Sequence, residues 1–180
     1  PLLEALAKSR NLATVRLLNE IGVDTAIRMA RDLGIQSPIE RNLSIALGSS
    51  GVTPLEMVTA YSTFAAGGQR PTPFFIREVQ DGQGQVLERT DSKIVPAISP
   101  ETAYLTIRLM QEVLRTGTGA SAARLSPNLA GKTGTTNENT DAWFIGGSPD
   151  LIAGVWVGFD TPASLGGRQT AASVALPIWA

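Results

Sequence analysis

The 180 residues contain no cysteine and no histidine, and only three lysines. The missing cysteine excludes a disulfide framework, a thiolate nucleophile and any Cys-based zinc site. The missing histidine excludes a Ser-His-Asp triad and a His-Glu-x-x-His zinc helix, and leaves no side chain that titrates near neutrality at its ordinary pKa. Any proton shuttle must therefore be Lys, Tyr, Asp or Glu. Neither sign of charge dominates. The 15 Lys and Arg against 16 Asp and Glu give a net charge of −1, with the arginines scattered, which argues against a nucleic-acid surface. Long apolar runs are absent as well: the longest, Leu151 to Phe159, falls well short of the roughly 20 residues that span a bilayer.

Hydrophobic residues make up 43% of a length that suits one ordinary domain or a large piece of a bigger one. The chain opens on Pro1-Leu2-Leu3-Glu4 without a basic leader and closes on Pro177-Ile178-Trp179-Ala180. The expectation is a chain cut at both ends, with its targeting information outside it.

Residues 1 to about 70 read as helices. Leu2, Leu3 and Leu6 form a short apolar face that stops at Ser9-Arg10-Asn11, and Val15, Leu17, Leu18 and Ile21 resume a helical pattern up to Gly22. Asp24 is expected to cap a third helix that ends at Gly34. Residues 35–52 read as a loop around a short apolar run, and Thr53-Pro54-Leu55-Glu56 is a capping-box start for a further helix. Phe74 to Val79, a turn over Asp81 to Gly84 and Gln85 to Glu88 predict a hairpin within about 73–90. Ser99-Pro100-Glu101 opens a helix over about 99–116. Three strands follow within about 129–160: Leu129 to Thr136, Asp141 to Ile145 and Leu151 to Phe159. Their connections are too short for crossovers, so the sheet should be antiparallel. A truncated helix over about 170–180 ends the chain. The order of elements predicts an α+β fold, with an antiparallel sheet packed against helices.

Lys132 is the lysine in a telling context, Gly131-Lys132-Thr133-Gly134-Thr135-Thr136. Glycines inside a strand mark a close approach of a ligand or another backbone. The run reads as a strand edge offering an ammonium, hydroxyls and free N–H groups to an anionic or carbonyl-bearing guest. Gly-Lys-Thr also ends the phosphate-binding loop G-x-x-x-x-G-K-[ST], but Ser126 stands where that loop needs its first glycine, and no helix start follows.

Lys132-Thr133-Gly134 is the K-T-G element that accompanies S-x-N and S-x-x-K in penicillin-binding proteins and serine β-lactamases, and Ser9-Arg10-Asn11 supplies the S-x-N. Ala46 to Glu56, Thr116-Gly117-Thr118-Gly119, and Ala130 to Thr136 through Asp141-Ala142-Trp143-Phe144 to Trp156-Val157-Gly158 extend the similarity. On these motifs the chain resembles the C-terminal part of the transpeptidase domain of class A, bifunctional penicillin-binding proteins, over essentially its whole length.

The resemblance implies the penicillin-binding/β-lactamase-like fold with a helical subdomain, and acyl transfer on the D-Ala-D-Ala end of peptidoglycan stem peptides without a cofactor or metal. It implies β-lactam antibiotics as inhibitors, and a location on the outer face of the bacterial cytoplasmic membrane, anchored by a segment outside this chain. It assigns Ser9 to a proton relay, Asn11 to the substrate backbone and the catalytic lysine, and Lys132 to the local potential and a hydrogen bond towards Ser9. Thr133 and Thr135 would receive the terminal carboxylate, and the Thr135 N–H would be half of an oxyanion hole. Gly134 would leave room for the substrate strand; Thr136 is counted with the substrate-binding residues, and for Thr136 and Asn137 the alternative is a plain strand end and turn. One element departs from the pattern: none of the thirteen serines has a lysine three residues later, and Ser121-Ala122-Ala123-Arg124 offers only a permanently charged arginine. The expectation is an inactive portion of an active serine transpeptidase, the alternative a catalytically dead module that binds stem peptide or a protein partner.

Overall fold

The computed structural model describes residues 1–136, 138–167 and 169–180. Helices α1 (Leu2–Ala7), α2 (Asn11–Ile21) and α3 (Val23–Asp32) open the chain, and α4 (Pro54–Ala65) and α5 (Pro100–Arg115) are its long packing elements. Strands β5 (Ala130–Thr135), β6 (Asp141–Gly147) and β7 (Ile152–Gly158) form an antiparallel sheet in the order β5-β6-β7. Helix α5 packs on β5, α1 and α4, so it joins the helical part to the sheet.

The sheet is covered on both faces. Val58 of α4 meets one face, where a side chain at Gly154 would come within 2.7 Å of it. The other face carries Phe144 and Ala142, which pack with Leu114, Ala171, Ala175 and Leu176 in a buried cluster. The short helices α6 (Ala171–Val174) and α7 (Leu176–Trp179) close that face; the Trp179 ring lies 4.6 Å from that of Phe144, and its indole N–H donates to the carbonyls of Gly146 and Ala153.

Several local expectations are corrected. The C-terminal helix is two short pieces, because Pro177 has no N–H with which to continue a first helix. Asp24 lies in the first turn of α3 rather than at its cap, which is Gly22, and pairs with Arg41 at 2.5 Å. Leu43–Leu47, inside the expected loop, is a 3-10 helix. The hairpin is shorter than expected, β2 (Glu78–Gln80) against β3 (Val86–Arg89). Phe74 to Arg77 instead connects it to a second ribbon, β1 (Gln69–Pro71) with β4 (Ile94–Pro96), which has too few residues to show alternation in the sequence.

The capping box at Thr53 forms, and its Glu56 does more than cap. The carboxylate accepts the N–H groups of Gln36, Ser37 and Thr53 and the hydroxyls of Ser37 and Thr53. The Ser37 hydroxyl, followed by these backbone N–H groups, outweighs burial and holds the Glu56 pKa down at about 2. A carboxylate with a depressed folded-state pKa stabilises the fold fully above its unfolded value of about 4.5, and the contribution is lost as pH falls towards 2. Glu56→Gln should cost about 2 kcal/mol at pH 7, a figure reduced for solvent screening. Urea midpoints of the two proteins should converge as the pH is lowered from about 4.5 to about 2.

Candidate active site

Two walls form the site, and each rests on a local backbone device. The first is the turn after α1. The Ser9 N–H donates to the Leu6 carbonyl at 3.1 Å and the Arg10 N–H to the Ala5 carbonyl at 2.8 Å, the two bonds of a Schellman motif. The motif places Ser9 at the left-handed position, with φ of 51°. The same motif closes α3, where that position is filled by Gly34 at φ of 103° and the Gly34 and Ile35 N–H groups reach Arg31 and Ala30. Glycine bears this conformation without a Cβ penalty; serine bears it at a cost of about 1 kcal/mol. A hydroxyl thus stands where the backbone favours glycine. Ser9→Gly should raise stability by about 0.5–1 kcal/mol in denaturant titrations, because it relieves this strain while deleting the hydroxyl.

The second wall is the open edge of β5. The Thr136 N–H donates to Asp141 across the ladder. Alternation along an antiparallel pair then turns Gly134 and Lys132 towards β6, and the backbone N–H and C=O of Thr133 and Thr135 outward. The two glycines of the motif do different things. A Cβ at Gly131 would strike the Phe144 ring at 2.7 Å, so its absence serves the core. A Cβ at Gly134 would meet only Trp143 Cβ, at 3.4 Å, and its absence keeps the surface beside the open edge low.

A hydrogen bond joins the walls: Lys132 Nζ donates to Ser9 Oγ at 3.0 Å, across 123 positions of sequence. It also donates to the Thr133 carbonyl at 3.0 Å. Burial lowers the Lys132 pKa below the ordinary lysine value. Asn11 lies exposed at the first position of α2, two residues beyond Ser9.

The hydroxyls of the expected set divide. Thr135 Oγ1 accepts the Ala171 N–H at 3.0 Å, which anchors α6 and leaves the Thr135 proton free to donate. Thr133 Oγ1 lies 2.5 Å from Thr118 Oγ1. Thr136, in contrast, belongs to the β5-β6 turn: its Oγ1 accepts the N–H groups of Thr140 and Asp141 at 2.9 Å each. Asn137 lies outside the described residues.

Sequence reasoning missed how the walls are held together. Thr116-Gly117-Thr118-Gly119 caps the end of α5 and grips the Ser9 turn, with Lys8 Nζ donating to the Thr116 carbonyl at 2.6 Å and the Thr118 N–H to the Ala7 carbonyl at 3.1 Å. The available signal was the glycine-threonine alternation directly after a strong helix. Among the described residues no group of acidic residues could hold a metal ion, and no helix is long and apolar enough to cross a membrane.

An α+β sheet whose K-T-G edge is bonded to an S-x-N turn is the arrangement shared by penicillin-binding proteins and serine β-lactamases. The penicillin binding protein transpeptidase domain family matches residues 1–178, and the chain belongs to that family. It is 39% identical over 183 residues to penicillin-binding protein 1A of Neisseria lactamica, covering 98% of this chain and 23% of that protein. To penicillin-binding protein 1A of Pseudomonas aeruginosa it is 35% identical over 231 residues, covering 99% and 28%. The chain thus spans about a quarter of the length of these relatives. Among solved structures, penicillin-binding protein 1A from Haemophilus influenzae superposes with a TM-score of 0.93 at 26% identity, over 99% of this chain and 33% of that one. The PonA1 protein from Mycobacterium tuberculosis in complex with penicillin V gives 0.82 at 27% identity, over 98% of this chain and 54% of that one.

Proposed function

We propose that this chain supplies two walls of the active site of a serine D,D-transpeptidase that cross-links peptidoglycan stem peptides and is trapped by β-lactams. The observation that carries this reading is the bond from Lys132 Nζ to Ser9 Oγ, which joins the two motifs into one polar track. The nucleophilic serine of an S-x-x-K element comes from outside these 180 residues, in which no serine has a lysine three positions later. That serine gives its proton to the lysine of the same S-x-x-K element as it attacks the D-Ala-D-Ala carbonyl; a C–O bond forms, the C–N bond breaks, and the departing amine takes a proton through Ser9 Oγ. Lys132, its ammonium destabilised by burial, feeds that relay. The amine of a second stem peptide then attacks the ester and releases the serine. The outward N–H of Thr135 faces the developing oxyanion, the hydroxyls of Thr133 and Thr135 hold the terminal carboxylate, and Asn11 bonds the substrate backbone. The full-length protein acts on the outer face of the cytoplasmic membrane.

Incubation with a fluorescent penicillin tests the reading. The full-length protein that contains this chain should become labelled at a serine outside residues 1–180, and the 180-residue chain alone should not. A covalent adduct on the isolated chain would refute the external nucleophile, and an unlabelled full-length protein would favour a module that only binds stem peptide.

A further inference from the structure

Thr118 belongs to neither wall, yet it touches both. Its N–H donates to the carbonyl of Ala7, two residues before Ser9, and its Oγ1 lies 2.5 Å from Thr133 Oγ1. Ala7 is 1% exposed, so the first bond is fixed inside the core. Gly117, next to Thr118, is pressed so closely on Ala7 that a Cβ there would sit 2.2 Å from the same carbonyl oxygen.

The hydroxyl pair has two possible orders. If Thr133 donates to Thr118, the single Thr133 proton is used up and the site has one donor fewer for an anion. If Thr118 donates to Thr133, the Thr133 proton points away from Thr118, and accepting that bond makes it a stronger donor. Among the described residues Thr118 Oγ1 has no other hydrogen-bond partner to compete for its proton. The chain Thr118 to Thr133 to carboxylate is therefore the order in which an anion at Thr133 is hydrogen-bonded.

We propose that Thr118 is a positioning residue of the carboxylate site: it directs the Thr133 proton towards the guest's terminal carboxylate and, through Ala7, sets the distance between the Ser9 turn and β5. The proposal rests on the reading of Thr133 and Thr135 as the seat of that carboxylate. It differs from a purely structural role in being specific to the anion.

The test compares acylation of the full-length protein by a penicillin and by its methyl ester. Thr118→Val keeps the shape and the backbone N–H but removes the donor. Its second-order acylation rate with the free acid should fall about 10-fold, the ester rate should change less than about twofold, and Thr118→Ser should restore the preference for the acid. Equal slowing of acid and ester, or no slowing of either, would overturn the role of Thr118; Thr118→Ala carries the same comparison if the valine variant does not fold. Thr133→Val and Thr135→Val separate the two levels. If they abolish the acid preference and Thr118→Val does not, the Thr118 inference alone fails. If they leave it intact, the carboxylate seat is misplaced and the inference falls with it.

Discussion

Lys132→Ala in the full-length protein that contains this chain should slow acylation by penicillin about 10²–10³-fold, as measured by stopped-flow or quenched labelling. The lysine is held by two hydrogen bonds of 3.0 Å, to Ser9 Oγ and to the Thr133 carbonyl, and its burial makes the ammonium readier to give up a proton than an ordinary lysine. Alanine removes the proton source and the positive charge together. Lys132→Arg should not rescue the rate, because a guanidinium keeps its proton and its planar fork needs more room than the ammonium. The pH profile adds a separate check. If the ammonium is the working form, the rate falls as pH rises through the Lys132 pKa, which burial sets below the usual lysine value, and the alanine variant lacks that alkaline limb. An alanine variant acylated at the wild-type rate would return Lys132 to the status of a half-buried strand residue.

Gly117→Ala should damage both stability and acylation, although the position lies outside the S-x-N and K-T-G elements. A Cβ at this position would lie 2.2 Å from the Ala7 carbonyl oxygen and 2.8 Å from that of Val113, and both obstacles are backbone. The clash can be relieved only by parting α1 from the end of α5, and that movement carries Ser9 with it. Overpacking of this kind costs about 1–3 kcal/mol. The acylation rate should fall as well, although Gly117 touches no substrate in the proposed reaction. Thermal unfolding and labelling kinetics on the same preparation check both effects; a variant with unchanged melting temperature and rate would show that the Ser9 turn does not depend on this contact.

What could be read in the sequence was what short-range chemistry decides. Thr53 accepts the Glu56 N–H and Ser99 the Thr102 N–H, so both helices start through bonds that span three residues, at the two starts the sequence marks. In the main sheet, β6 and β7 were legible from their short apolar runs and tight connection, and β5 from the glycine-flanked Lys132 run beside them. The β1-β4 ribbon was not, since its partners are three residues each and 25 positions apart from Gln69 to Ile94. Within the site, the motifs named Ser9, Lys132 and Thr135, but nothing local in Ser9-Arg10-Asn11 reveals a left-handed serine. That conformation is imposed by the Schellman bonds and by the loop that grips Ala7 and Lys8. Thr118 was visible only as part of a motif; its partner Thr133 lies 15 positions away on another element.

Helix α5 gives the site a long reach. Its 16 residues run about 24 Å, from the Ser99 cap to the loop that holds both walls. Just ahead of that cap, Ala97 and Ile98 are bonded to the Gly68 carbonyl, at the edge of the β1-β4 ribbon. The helix acts as a strut, and a strut transmits displacement. A substitution in the ribbon that shifts the start of α5 would move the Ser9 turn relative to Lys132, so susceptibility to an inhibitor can change while every residue that lines the cleft stays the same.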